Sequence, residues 1–165
     1  MNGIEFSNEL YFKKDLKDTA APHFKYVTEA SQSEFTEEAL LRLSQIYTER
    51  KNWNNAIPVL TRLERDASFP QNVVFAQSNL MKANYELEKY NQAVAYAEKV
   101  ILQSNLDNKI KSDAHVIIAR SAIQTGDEDR AKIAYAKVEI TATGETAAEA
   151  LFYNGYFKNK AESYE

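Results

Sequence analysis

Four alanines, Ala20, Ala56, Ala93 and Ala131, stand 36, 37 and 38 residues apart, and the segments around them align in phase. Self-similarity at one fixed period marks a chain built from a single supersecondary unit stacked on itself, because one such unit cannot bury its apolar face alone. The aligned stretches are Lys17-Asp18-Thr19-Ala20-Ala21-Pro22-His23-Phe24, Trp53-Asn54-Asn55-Ala56-Ile57-Pro58-Val59-Leu60, Tyr90-Asn91-Gln92-Ala93-Val94-Ala95-Tyr96-Ala97 and Glu128-Asp129-Arg130-Ala131-Lys132-Ile133-Ala134-Tyr135. Seven residues after each marker alanine come Val27, Leu63, Val100 and Val138. Thirteen before come Ser7, Leu43, Leu80 and Ile118; twelve before come Asn8, Ser44, Met81 and Ala119, with Gly155 opening the same slot of a fifth unit.

Spacings of three, four and seven place apolar residues on one face of a helix, so each unit reads as a pair of helices. The marker alanines, with Ser44, Ala119 and Gly155, belong where paired helices cross closely and a large side chain would push the axes apart. Three before the marker stand Trp53 and Tyr90, rings suited to plug the joint between helices; core packing explains them better than cofactor stacking. With only 4 Gly and 3 Pro, turn punctuation is too scarce for a β-sandwich. An apolar share of 44% suffices to bury a core.

Joints set the helix boundaries. Pro70 suits a helix start, Gly126-Asp127 and Thr143-Gly144 read as stops, and Thr146-Ala147-Ala148-Glu149 reads as a capping box. Helices are predicted near 3–14, 18–29, 34–50, 54–66, 71–88, 91–104, 108–125, 128–140 and 146–160. The units run over 1–33, 34–70, 71–107, 108–144 and, in part, 145–165.

The small residue, the ring and the alanine in register resemble the tetratricopeptide repeat family, most clearly in Leu80-Met81-Lys82-Ala83-Asn84-Tyr85-Glu86-Leu87-Glu88-Lys89-Tyr90-Asn91-Gln92-Ala93. The likeness extends over nearly the whole chain. Met81 and Asn8 in small-residue slots, Glu128 in place of the ring, and slightly long units depart from the family pattern. The resemblance implies an all-α, right-handed superhelix (solenoid) of antiparallel helix pairs, about four and a half repeats in a single domain. Other solenoids of paired helices share these features. The third and fifth units are also similar in style to bacterial cell-envelope members of the family. The last unit stops where its second helix is expected to begin, so the chain reads as a piece of a longer array.

Little in the chain points to catalysis. There are no cysteines, and His23 and His115 fall in different units with no i,i+4 histidine pair. His115 occupies the slot of Leu40 and Leu151 and reads as a packed histidine; His23 reads as partly exposed. No Gly-x-Gly loop, Walker motif or Gly-x-Ser-x-Gly elbow is present. Glu37-Glu38 and Glu128-Asp129 open helices, where the macrodipole favours them. The expectation is therefore a non-enzyme without cofactor or metal. A net charge of −4 without a basic stripe argues against nucleic acid, and no apolar run is long enough to span a membrane.

Binding remains. In the family, the first helix of each unit lines a concave groove that receives a peptide or a partner helix. By offset, the partner-binding groove comprises Phe75, Ser78, Lys82 and Tyr85, then Val116 and Arg120 beside Asp113, then Phe152 and Tyr156. Lys82 and Arg120 share one offset and form a short cationic ladder suited to an acidic segment of a protein or peptide partner. A carboxylate clamp of the chaperone-adaptor kind is not expected: of Leu41, Gln45, Asn79, Asp113 and Ile117 at its offsets, only Asn79 agrees. Two alternatives stand beside the groove: a spacer without a peptide ligand, and self-association through the last repeat, which is expected to expose Leu151 and Asn154-Gly155.

Overall fold

The computed structural model describes residues 4, 8, 16–30, 32–104 and 106–162. Among them stand eight helices and no strand: α1 (Lys17–Glu29), α2 (Thr36–Glu49), α3 (Trp53–Asp66), α4 (Pro70–Glu86), α5 (Tyr90–Ile101), α6 (Asn108–Thr125), α7 (Glu128–Thr141) and α8 (Glu145–Glu162). Each lies within a few residues of its predicted range. The predicted helix 3–14 lies outside the described residues except for Ile4 and Asn8, both helical; Ser7 and Tyr164 also lie outside. The chain is an all-α helical repeat that divides into two compact units, Met1–Ala83 and Asn84–Glu165, with the division inside α4.

The period rests on a recurring hydrogen-bonded joint. Where α2, α4 and α6 end, the residue five before the next marker is left-handed: Lys51 (φ 53°), Glu88 (φ 58°) and Gly126 (φ 77°). The next N–H then reaches back five residues, Asn52 to Tyr47, Lys89 to Asn84 and Asp127 to Ala122, each at 2.8 Å. With the shorter bonds Lys51 to Thr48, Glu88 to Tyr85 and Gly126 to Ile123, this is the Schellman arrangement that satisfies the last carbonyls of a helix. The residue after the turn opens the second helix by accepting the marker's N–H: Asn52 from Ala56, Lys89 from Ala93 and Asp127 from Ala131. Only Gly126 among the three left-handed residues lacks a side chain, so at Lys51 and Glu88 tertiary packing overrides the ordinary glycine preference.

The markers sit where the period places them. Ala20, Ala56, Ala93 and Ala131 are fully buried, as are Ser44, Met81 and Ala119 twelve residues before. Four residues after each marker lies another buried slot, held by Phe24, Leu60, Ala97 and Tyr135. In the first unit Ile4, Ala20, Phe24, Ala39, Leu43 and Ile46 form one core cluster. Gly155 departs from its expected place: it is exposed, and a Cβ there would meet nothing within 4 Å, so no close helix crossing forms at it among the described residues.

Two features go beyond the offsets read from sequence. Three before the marker, where the ring is absent, a charge takes the slot and pairs with the end of the following first helix. Lys17 Nζ lies 2.6 Å from Glu49, and Lys160 Nζ lies 2.6 Å from Glu128, with the signs reversed. Glu37, expected merely to favour the start of its own helix, instead reaches the joint ahead of α4. Its carboxylate accepts the N–H groups of Ser68 (2.8 Å) and Phe69 (3.2 Å) and the amide of Asn72 (2.7 Å). Burial opposes ionisation of Glu37, but these donors prevail and hold its carboxyl below the ordinary range.

Candidate partner-binding surface

In the first unit the α4 residues Phe75, Ser78 and Lys82 share a helix face by their spacing. Phe75 and Ser78 are half-buried and Lys82 is exposed. The Phe75 carbonyl accepts the Asn79 amide at 2.8 Å, a local bond that ties up the one side chain matching a carboxylate clamp.

The second unit holds a connected site. Arg120 on α6 donates to both carboxylate oxygens of Glu149 on α8, at 2.9 and 2.5 Å. Glu149 also accepts the Tyr135 hydroxyl from α7 at 2.8 Å. Tyr135 occupies the buried slot four after its marker, where the other units carry Phe24, Leu60 and Ala97, and its hydroxyl is the only polar group that slot contains among the four. A buried hydroxyl needs a partner, and Glu149 supplies it. The Arg120 bonds hold the Glu149 carboxyl below its usual range against the opposing effect of burial, with the Tyr135 bond adding to the shift. Burial, then Glu149, push the Tyr135 hydroxyl up. Tyr85, at the end of α4, meets Tyr90 edge to face at 5.8 Å; burial raises its hydroxyl, opposed by the charge of Arg120.

On α8 the rings form a chain. Tyr153 stacks on Tyr135 at 4.5 Å and 10°, Phe152 meets Tyr153 edge to face, and Tyr156 meets Phe157 in the same way. Phe157 is buried, but Phe152 is 67% and Tyr156 48% exposed, and Leu151 is 62% exposed beside them. Asn154 is half-buried.

These positions correct two expectations. Val116 is buried, so it packs inside the unit and offers a ligand almost no surface. Arg120 carries a positive charge that Glu149 already neutralises through a two-pronged bond, so it is not an open rung of a cationic ladder. Tyr85, Phe152 and Tyr156 keep accessible surface in the second unit.

A tetratricopeptide-repeat family model matches residues 38–67, which span α2 and α3 with the left-handed joint between them. The whole fold is similar to the crystal structure of MamA, with a TM-score of 0.68 over 95% of each chain at 20% sequence identity. No curated protein matches the chain by sequence. The chain carries a tetratricopeptide-type repeat at residues 38–67, and its fold is that of an all-α helical repeat. Repeats of this type are interaction scaffolds in general and are typically non-enzymatic. Among the described residues no helix is long and apolar enough to cross a membrane.

The family match falls on the second unit, with Leu43, Ser44, Trp53, Ala56 and Leu63 all in register, and not on Leu80–Ala93, where the resemblance reads most clearly in sequence. The fourth unit departs from that register, with Glu128 in the ring slot and Tyr135 in the core slot. It is also the unit that contributes Arg120 and Tyr135 to the polar node. Sequence reasoning missed Glu149 and Tyr135, although a tyrosine in a slot otherwise held by Phe24, Leu60 and Ala97 was the signal that a polar partner must lie nearby.

Proposed function

We propose that the face of the second unit bearing Tyr85, Phe152 and Tyr156 binds an extended peptide or a helix of a protein partner through large apolar side chains. The supporting observation is the pair of exposed rings, Phe152 and Tyr156, on a helix anchored by the Arg120–Glu149–Tyr135 node. Rings held by a rigid base lose little freedom on binding, and aromatic anchors dominate interface energies. An acidic ligand segment is a weaker element of this reading, because Arg120 already carries its carboxylate. Phe75, Ser78 and Lys82, on α4 in the first unit, form a separate candidate set of their own.

A second reading, self-association, draws on the same helix: Leu151, Phe152 and Tyr156 expose an apolar strip that a second copy could cover. One experiment separates the two. Peptides selected from a displayed library against the purified chain are titrated by fluorescence anisotropy against wild type, Phe152→Ala and Tyr156→Ala, with light scattering on each. Peptide binding should weaken about ten- to thirty-fold in each variant at unchanged melting temperature. A folded double variant that keeps full affinity removes this face as the site. A wild-type mass above the monomer that falls in the variants, without peptide selection, replaces the peptide reading with self-association.

A further inference from the structure

One open side of α8 carries both a projecting ring and a notch of the kind that receives one. Along this helix the exposed positions Ala148, Phe152, Gly155 and Asn159 follow one another at spacings of four, three and four. That alternation forms a seam along a single helix face, the pattern by which one helix seats on another. Phe152 within the seam is 67% exposed, and Leu151 beside it is 62% exposed.

The chain's own packing does not account for Gly155. A glycine inside a helix destabilises it relative to alanine, and serves where a turn or a close approach requires it. Gly155 lies in the interior of α8, and a Cβ built there meets nothing within 4 Å. At the same offset in the preceding units Ser44, Met81 and Ala119 are fully buried, whereas Gly155 is open to solvent. The missing side chain leaves a notch on an exposed face, three residues from an exposed ring on the same face.

Ring and notch on one stripe can meet only across two copies of that stripe. Two α8 helices related by a two-fold axis and running antiparallel bring Phe152 of each copy opposite Gly155 of the other, and one such contact implies its mate. A parallel pair would set ring against ring and notch against notch. Charge selects the same orientation. Glu145 in the first turn and Lys158 towards the other end are exposed, and neither enters an ion pair among the described residues. In the antiparallel pair Lys158 of one copy lies within about 6 Å, along the axis, of Glu145 of the other. In the parallel pair each charge faces its own kind. Antiparallel packing also opposes the two helix dipoles. A surface shaped for a foreign ligand has no need to carry the complement of its own ring; a two-fold interface requires it.

We infer that α8 pairs antiparallel with α8 of a second copy, the Phe152 ring of each seated on Gly155 of the other. Leu151 and Tyr156 flank the contact, and the Arg120–Glu149–Tyr135 node holds each α8 to its own unit. The inference rests on the α8 face being a binding surface, as proposed above, and names its partner. A single helix pair buries little area, so the dimer is weak and forms reversibly with concentration.

The test is sedimentation velocity of the full chain over a wide range of concentration, beside anisotropy with the library-selected peptides. Wild type should pass from monomer to dimer as concentration rises. Phe152→Ala should weaken dimerisation about ten-fold or more, and Gly155→Leu, which fills the notch where the monomer has room, should do the same without lowering the melting temperature. Glu145→Lys and Lys158→Glu should each weaken the dimer, and the two together should restore it. The chain has no cysteine, so introduced ones report orientation by disulfide formation. Ala148→Cys mixed with Asn159→Cys should cross-link, since these positions face each other across the antiparallel pair. Neither should cross-link alone, because like positions then stand about 16 Å apart along the axis. Cross-linking of either cysteine variant alone, a dimer indifferent to Phe152→Ala or Gly155→Leu, or single charge reversals without effect overturn the inference. A chain that stays monomeric at every concentration also overturns it. If selected peptides then still lose affinity on Phe152→Ala, the proposed binding face stands; if they do not, both readings fall.

Discussion

Replacing Glu149 by leucine should cost the protein roughly 2–4 kcal/mol, most of it through Tyr135 rather than Arg120. Tyr135 is 1% exposed and its hydroxyl has Glu149 Oε1 at 2.8 Å. A hydrogen bond to a charged group contributes about 1.5–3 kcal/mol, and a buried hydroxyl left alone keeps its full desolvation penalty. The Arg120 pair adds less, about 1 kcal/mol at most, because the arginine side chain is 44% exposed and solvent screens it. The decisive measurement is a double-mutant cycle of Glu149→Leu and Tyr135→Phe by urea denaturation. With a slope of about 2 kcal/mol per molar urea, Glu149→Leu should lower the midpoint by about 1–2 M. In the Tyr135→Phe background the same change should cost about 1–2 kcal/mol less, since no hydroxyl remains to be stranded. The pH dependence must agree in sign. Glu149 is held below its unfolded pKa, so its contribution is present above about pH 4.3 and is lost as pH falls through the folded value. A coupling energy below about 0.5 kcal/mol would refute the claim that this node joins α7 to α8 through the tyrosine.

Two further predictions follow from the frame and from His115. Ala93→Leu should lower stability by about 1–3 kcal/mol through overpacking of a fully buried slot, while Ala95→Leu, at an exposed slot two residues on, should stay within about 0.5 kcal/mol; equal urea midpoints for the two would place the register wrongly. Burial, and then the nearby Lys137, lower the pKa of His115 on folding, so its contribution is present above its unfolded pKa of about 6.5 and is lost as pH falls below it. Wild type should therefore lose more stability between about pH 7.5 and pH 5 than His115→Gln, and a larger loss in the variant would reverse the assignment.

The period was legible because one joint recurs. The left-handed residue, the back-bonded N–H and the carbonyl that accepts the marker's N–H recur wherever a described first helix passes to its second. Any chain that repeats this turn must repeat its apolar offsets. Single-sequence reasoning saw the glycine at Gly126 but not the turn at Lys51 and Glu88, because nothing local announces a lysine or a glutamate in a left-handed conformation. The exchange of ring for ion pair at Lys17 and Glu128 was equally hidden. A charge in a ring slot reads as a defect until its partner, 32 residues on, is known to face it.

Exposure of the proposed groove residues was only partly legible in the offsets. Phe152 and Tyr156 on α8 are exposed, but Val116, at the same offset as Phe152, is buried, while Arg120, at the same offset as Tyr156, is engaged by Glu149. Offset fixes the direction of a side chain from its helix axis; it does not say whether the neighbouring helix carries a carboxylate within reach. In a repeat, therefore, the informative residues are the departures. Tyr135 in an otherwise non-polar core slot marks the node. That departure needs its own compensation: the marker and joint are unchanged around it, and Glu149 meets the buried hydroxyl.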